Sequence, residues 1–156
     1  MKPGTFTQLY IHLIFAVQNR KALINETIQH NVFSYLSGIL TQRDHKSIIV
    51  NGTEDHVHLL IGLNPKESVS TLVHELKRCT TLYINQEKLC NFHFTWQEGY
   101  GAFSYSKSQL DVVYNYIANQ KEHHQKKTFK DEYIQFLKKL NIEYDEKYLF
   151  MFHTDV

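Results

Sequence analysis

Two imidazoles stand two residues apart in the segment Asp55-His56-Val57-His58-Leu59-Leu60-Ile61. Side chains alternate across a β-strand, so His56, His58 and Leu60 share one face while Val57, Leu59 and Ile61 take the other. Neutral histidine is the commonest protein ligand for divalent metals, and two rings on one pleat face can converge on a single ion. The plain alternative is a pair of half-buried histidines hydrogen-bonded to polar neighbours. Leu60 narrows the chemistry, because a nucleotide-transferring site built on three alternate histidines needs its third imidazole there.

A second group lies in Tyr114-Asn115-Tyr116-Ile117-Ala118-Asn119-Gln120. At about 100° per residue, Tyr116 and Gln120 sit within roughly 40° of each other on a helix, whereas Tyr114 is about 120° from Gln120. Leu110, Val113 and Ile117 make the stripe that faces a core, and Tyr116 lies at its edge. An amphipathic helix whose tyrosine covers the core margin has the same pattern. His123 and His124 follow Gln120 by three and four residues, so a rival metal site there is geometrically possible.

Those side chains need a frame to hold them. The apolar alternation Leu9, Ile11, Leu13, Phe15 and Val17 predicts a strand over residues 6–17, with Gln8, Tyr10 and His12 on its other face. Asn25 is an N-cap for a helix with the stripe Ile28, Val32, Tyr35, Leu36 and Ile39. Residues 47–50 form a short β-branched strand, and Asn51, Gly52, Glu54 and Asp55 turn the chain into a third strand over 56–63. Ser68 caps a helix with the stripe Val69, Leu72, Val73, Leu76 and Tyr83. Residues 92–105 are aromatic and extended, with a turn at Gly99-Tyr100-Gly101. Capping boxes at Ser106/Gln109 and Thr128/Asp131 open two further helices, the first running to about His124. The second carries Phe129, Tyr133, Phe136, Leu137 and Leu140 on one side. The order βαββαβ predicts an α+β, ferredoxin-like antiparallel sheet. Its two crossover helices lie on one face, and a tyrosine-bearing helix and a further short helix follow.

Composition agrees with one domain over residues 1–156, a core over about 5–124 followed by a C-terminal helix and tail over 125–156. A chain of 156 residues buries roughly two-thirds of its unfolded surface. At 42% hydrophobic and 21% charged it is neither disordered nor a low-complexity repeat. A net charge of +1 means that a nucleic-acid partner is held by local patches and not by a global field. Cys79 and Cys90 are too few for a disulfide framework, which suggests reduced thiols in the cytoplasm. Gln8 and His12 interrupt the apolar core that a signal peptide needs, and no apolar run is long enough for a membrane span.

Together, the histidine strand and the downstream Tyr-x-x-x-Gln helix resemble the single-tyrosine HUH transposases of small bacterial insertion sequences. The likeness extends over nearly the whole chain. It takes in Phe15-Ala16-Val17, Leu76-Lys77, Phe94-Thr95-Trp96-Gln97-Glu98-Gly99-Tyr100, Phe103-Ser104, and Glu122-His123-His124 with Thr128-Phe129. It implies that Tyr116 attacks single-stranded DNA to leave a 5′-phosphotyrosine and a free 3′-hydroxyl. It also implies that His56, His58 and Gln120 hold Mg²⁺ or Mn²⁺, a hard, phosphate-facing ion. It further implies that the DNA is a single-stranded hairpin at the end of the element. The resemblance also implies a homodimer with intersubunit active sites, in which His56 and His58 come from one copy and Tyr116 with Gln120 from the other.

Lys121, Lys126, Lys127 and Lys130 form a basic segment beyond the tyrosine helix, and Lys77 and Arg78 sit on the middle helix; these are candidate phosphate contacts. Exposed tyrosines such as Tyr10, Tyr100 and Tyr105 could stack unpaired bases. His12 shares the face of the histidine pair and could touch the DNA or the outer shell of the metal, and Asp55 could orient a ligand histidine. Tyr144, Tyr148, Phe150 and Phe152 suggest a tail packed on the body or on a partner. The competing classes are a domesticated relative that binds or nicks palindromic repeats, a metal-dependent phosphoesterase that has no need of Tyr116, and a metal-free RNA-binding module.

Overall fold

The computed structural model describes residues 3–19, 21 and 23–152, those at 123 and 125 by backbone alone. Four strands, β1 (Tyr10–Ala16), β2 (Lys46–Gly52), β3 (His56–Gly62) and β4 (Gly101–Tyr105), form an open sheet in the order β2-β3-β1-β4. Every neighbouring pair is antiparallel. Helices α1 (Glu26–Gln42) and α2 (Val69–Gln86) make the crossovers, and α3 (Leu110–Ala118), α4 (Gln120–Lys126) and α5 (Phe129–Lys139) follow β4. The α+β frame expected from the element order is therefore present. Asn25, Ser68 and Thr128 cap α1, α2 and α5 through their side chains, as their positions predict. No helix among the described residues is long and apolar enough to cross a membrane.

Leu13, Phe15, Val17, Val57, Leu59 and Ile61 join Val32, Leu36, Leu72 and Leu76 of α1 and α2 in the main core. The opposite face is also covered. Leu60 packs with Val113 and Ile117 of α3, and rings of α5 lie over His12, His56 and Phe103. Residues 56–61 of β3 are consequently buried without a break, as happens to a central strand covered on both sides.

Several boundaries differ from the sequence expectation, each for a local reason. The first strand starts at Tyr10 and not at residue 6, because the ladders with β3 and β4 both end opposite Tyr10 and only one further bond, from the Leu63 N–H to the Leu9 carbonyl, follows. Phe6 is thus 86% exposed. Strand β2 is longer than 47–50, because its ladder with β3 runs on through Asn51 and Gly52. Of the aromatic stretch 92–105 only Gly101–Tyr105 is a strand, with one isolated bridge between Val17 and Trp96 upstream. The helix expected from Ser106 to about His124 is interrupted at Asn119. Asn51 Nδ2 donates to the carbonyls of Ile117 (2.9 Å) and Ala118 (3.3 Å), which the next turn would otherwise use.

A polar clamp ties the end of α1 to the β3–α2 turn. Arg43 Nε lies 3.1 Å from both oxygens of Glu67. The Asn64 N–H donates to His45 Nδ1 (2.9 Å), so the proton of that ring sits on Nε2 and donates to Glu67 Oε1 at 2.8 Å. The Arg43 hydrogen bond, working against burial and helped by His45, lowers the Glu67 pKa from 4.5 to about 2. A carboxyl depressed in the folded state contributes stability above its unfolded pKa and loses it as pH falls through the folded value. Glu67→Gln is expected to lower stability at neutral pH and to flatten the acid limb between pH 4.5 and about 2. Urea unfolding of both proteins across that range checks this, and parallel acid limbs would refute it.

Candidate active site

Strand β3 brings His56 and His58 to the face covered by α3 and α5, and neither ring is exposed. His56 Nδ1 lies 2.7 Å from Asp55 Oδ1 and 3.0 Å from Thr53 Oγ1. Its ring stacks flat on Phe129 of α5 at 3.7 Å, and its Nε2 faces Gln120 Oε1 at 3.3 Å. His58 Nδ1 lies 2.8 Å from Nε2 of His12 on the neighbouring strand. His58 Nε2 stands 3.1 Å from Glu132 Oε1, out of line for a hydrogen bond.

Glu132 is 6% exposed and belongs to α5. Its second oxygen is 2.6 Å from His124 Nε2, and Gln120 Nε2 approaches Oε1 at 3.5 Å. The Tyr116 ring stands nearly perpendicular to His58, centroids 5.9 Å apart, with its hydroxyl engaged by Glu132 and Gln120. One chain thus gathers Tyr116, His56, His58, Gln120 and Glu132 at a single buried point. A cleft of about 470 Å³ between α3 and α5, lined by Tyr105, Gln109, Val112, Phe136 and Lys139, leads to Tyr116 and Glu132.

The electrostatics follow from burial and from one negative charge. Burial pushes the His58 pKa down to about 4 against the opposing pull of Glu132, so at neutral pH this imidazole is uncharged and has a lone pair to offer. Burial alone would raise Glu132, but His124, with its Nε2 2.6 Å from the carboxylate, holds it far below the carboxylate range. Burial, the Glu132 charge and the hydrogen bond to Glu132 all raise the Tyr116 phenol well above its ordinary value near 10. Ligating atoms of His56, His58 and Glu132 lie within 4.8 Å of one another, and His58 Nε2 is buried without a hydrogen bond among the described residues. Two imidazole nitrogens with carboxylate and amide oxygens form a donor set that could hold a divalent cation.

The other expected positions divide by exposure. His12 is fully buried against His58 and has no surface to offer DNA. Lys77 also turns inward: its Nζ donates to the carbonyls of Gln97 (2.7 Å) and Gly99 (2.6 Å). Burial lowers its pKa to about 8. Arg78 is exposed and paired with Glu75 at 2.7 Å. Lys121 and Lys127 are exposed, facing Glu26 and Gln135 respectively, and Lys126 is exposed as well. Phe150 and Phe152 pack on Phe129, whereas Tyr148 is 79% exposed. Both amide atoms of Gln97 hold the backbone of Met151. The His123 side chain lies outside what is described, and His124 serves Glu132.

Glu132 is the residue that sequence reasoning missed. Its signal was the α5 stripe itself: Phe129, Tyr133 and Phe136 follow helical spacing, and Glu132 is a carboxylate within that apolar run.

Residues 5–120 match the family described as Transposase IS200 like. The chain shares its fold with a crystal structure from Deinococcus radiodurans R1, described provisionally as a transposase. That pair has 22% identity and a TM-score of 0.59, covering 77% of this chain and 96% of the other. A REP-associated tyrosine transposase bound to a REP hairpin aligns at 14% identity and a TM-score of 0.57, covering 80% of this chain and 74% of the other. No curated protein matches.

Ordinary tyrosines ionise around pH 10, so the buried phenol is open to a direct check. In metal-free protein, Tyr116→Phe is expected to leave the tyrosinate absorbance gained between about pH 9 and 11 unchanged. Loss of one tyrosine's amplitude in that window would show that Tyr116 titrates normally.

Proposed function

The chain belongs to the IS200-like transposase family, and on that premise we propose that it cuts and rejoins single-stranded DNA through a covalent phosphotyrosine on Tyr116. Membership makes it a DNA-cleaving, strand-transferring enzyme in kind. The observation that supports the finer chemistry is the convergence of the Tyr116 hydroxyl with His56, His58, Gln120 and Glu132 at one buried point.

The phenolic oxygen bonds to phosphorus, and the bond from phosphorus to the preceding 3′-oxygen breaks. That oxygen leaves as a 3′-hydroxyl, carrying a proton, and the 5′-phosphate stays on the tyrosine. A 3′-hydroxyl from another strand reverses the step and expels the phenol, so bond energy is conserved and no nucleotide triphosphate is needed. His56, His58 and Gln120 would hold a divalent ion, Mg²⁺ or Mn²⁺, with Glu132 as a further oxygen donor. Such an ion would supply charge stabilisation at the scissile phosphate and would offset the Glu132 charge that opposes ionisation of Tyr116. Asp55 fixes His56 by accepting at Nδ1.

The REP hairpin bound by the structural neighbour supports DNA hairpins as the class of substrate. Arg78, Lys121, Lys126, Lys127 and Lys130 are exposed and are the candidate phosphate contacts in this reading. A homodimer would allow Tyr116 and Gln120 to serve the histidines of a partner. α5 and Phe150 close on the same core as the sheet, and we treat residues 1–156 as one domain.

The test mixes the protein and Mn²⁺ with single-stranded DNA from both flanks of its own gene. A denaturant-resistant protein–DNA adduct is expected, absent with Tyr116→Phe, without metal and on duplex DNA. Binding of hairpin-bearing flanks with no adduct would leave a relative that binds repeats without cutting. Cleavage that survives Tyr116→Phe would indicate a metal-dependent phosphoesterase.

A further inference from the structure

We propose that His12 is a positioning residue that holds His58 in the orientation and tautomer needed for metal binding, an inference that rests on the metal site proposed above. A ring nitrogen that ligates a cation offers its lone pair, so the ring's proton must sit on the other nitrogen and be accepted there. For His56 that acceptor is Asp55 Oδ1, 2.7 Å from Nδ1. For His58 it is another imidazole: His12 Nε2, 2.8 Å from Nδ1, with both rings fully buried. Antiparallel pairing of β1 with β3 fixes the relation, since Ile14 faces His58 and His12 lies one step along the same pleat face.

When His12 accepts at Nε2, as metal binding by His58 requires, its own proton sits on Nδ1, and Nδ1 makes no hydrogen bond among the described residues. Aromatic rings surround it: Phe103 and Tyr105 at 6.1 Å and Phe136 at 5.6 Å, centroid to centroid. A buried N–H without an acceptor weakens the fold, and an apolar side chain would suit such a setting better. His12 is therefore poorly explained by stability and well explained by what it does to His58.

The test uses the full chain with His12→Leu and His12→Gln, reading Mn²⁺ affinity by calorimetry or electron paramagnetic resonance and melting temperature without metal. His12→Leu is expected to melt at or above wild type and to bind Mn²⁺ about ten- to hundredfold more weakly. His12→Gln, whose amide oxygen can accept from His58 Nδ1, is expected to recover part of that affinity. Wild-type affinity in both variants would overturn the proposal. So would a lowered melting temperature in His12→Leu with no recovery by His12→Gln, the mark of a packing role. His58→Ala is the control that separates the two readings: if it binds Mn²⁺ as tightly as wild type, or if wild type binds none, the metal site itself is refuted.

Discussion

The central place of β3 in the sheet is the constraint from which the rest of the site follows. With β2 on one side, β1 on the other and helices over both faces, residues 56–61 lose all contact with water. Two imidazoles in that run must find polar partners inside the protein, since a buried polar group left alone costs about 1–3 kcal/mol. Asp55 and Thr53 meet His56 from the preceding turn, and His12 meets His58 from the adjacent strand. Gln120 and Glu132 come down from the covering helices onto the remaining nitrogens. The site is thus the polar lining of a strand that has no solvent to turn to.

The pieces set by short-range pattern were legible in the sequence. Alternation put His56 and His58 on one face, caps marked Asn25, Ser68 and Thr128, and element order specified the sheet. Spacing also placed Tyr116 and Gln120 on one side, although the helix between them is interrupted. That break was hidden because its cause, Asn51, lies on a strand far away in sequence and reads there as a turn residue. Glu132 was obscured for a related reason: a carboxylate on a short charged helix looks solvated until tertiary packing shows what lies beneath it. Lys77 shows the reverse error. A lysine on a helix reads as surface charge, yet two backbone carbonyls of the 97–99 loop take its ammonium.

Glu132 gives the site its electrical character. It is a buried carboxylate among His58, His124 and the Tyr116 hydroxyl, and it opposes formation of a phenolate. A cation would change the sign of that influence by neutralising the carboxylate in place. The same group that keeps the phenol protonated in the metal-free protein can then help hold the ion that activates it, which links metal binding to the nucleophile's readiness. Aromatic packing stabilises this arrangement from outside, with Phe129 flat on His56 and Phe150 and Phe152 behind Phe129.

The interruption at Asn119 divides the donor set into two mechanical groups. His56 and His58 are anchored by strand pairing and by their own partners Asp55 and His12, while Gln120, His124 and Glu132 all lie beyond the break, on α4 and α5. On the function proposed here, a divalent ion would therefore be held from two directions, by imidazoles fixed to the sheet and by oxygen donors carried on α4 and α5. A single sheet residue, Asn51, which holds the carbonyls on the near side of the joint, sets where that division falls.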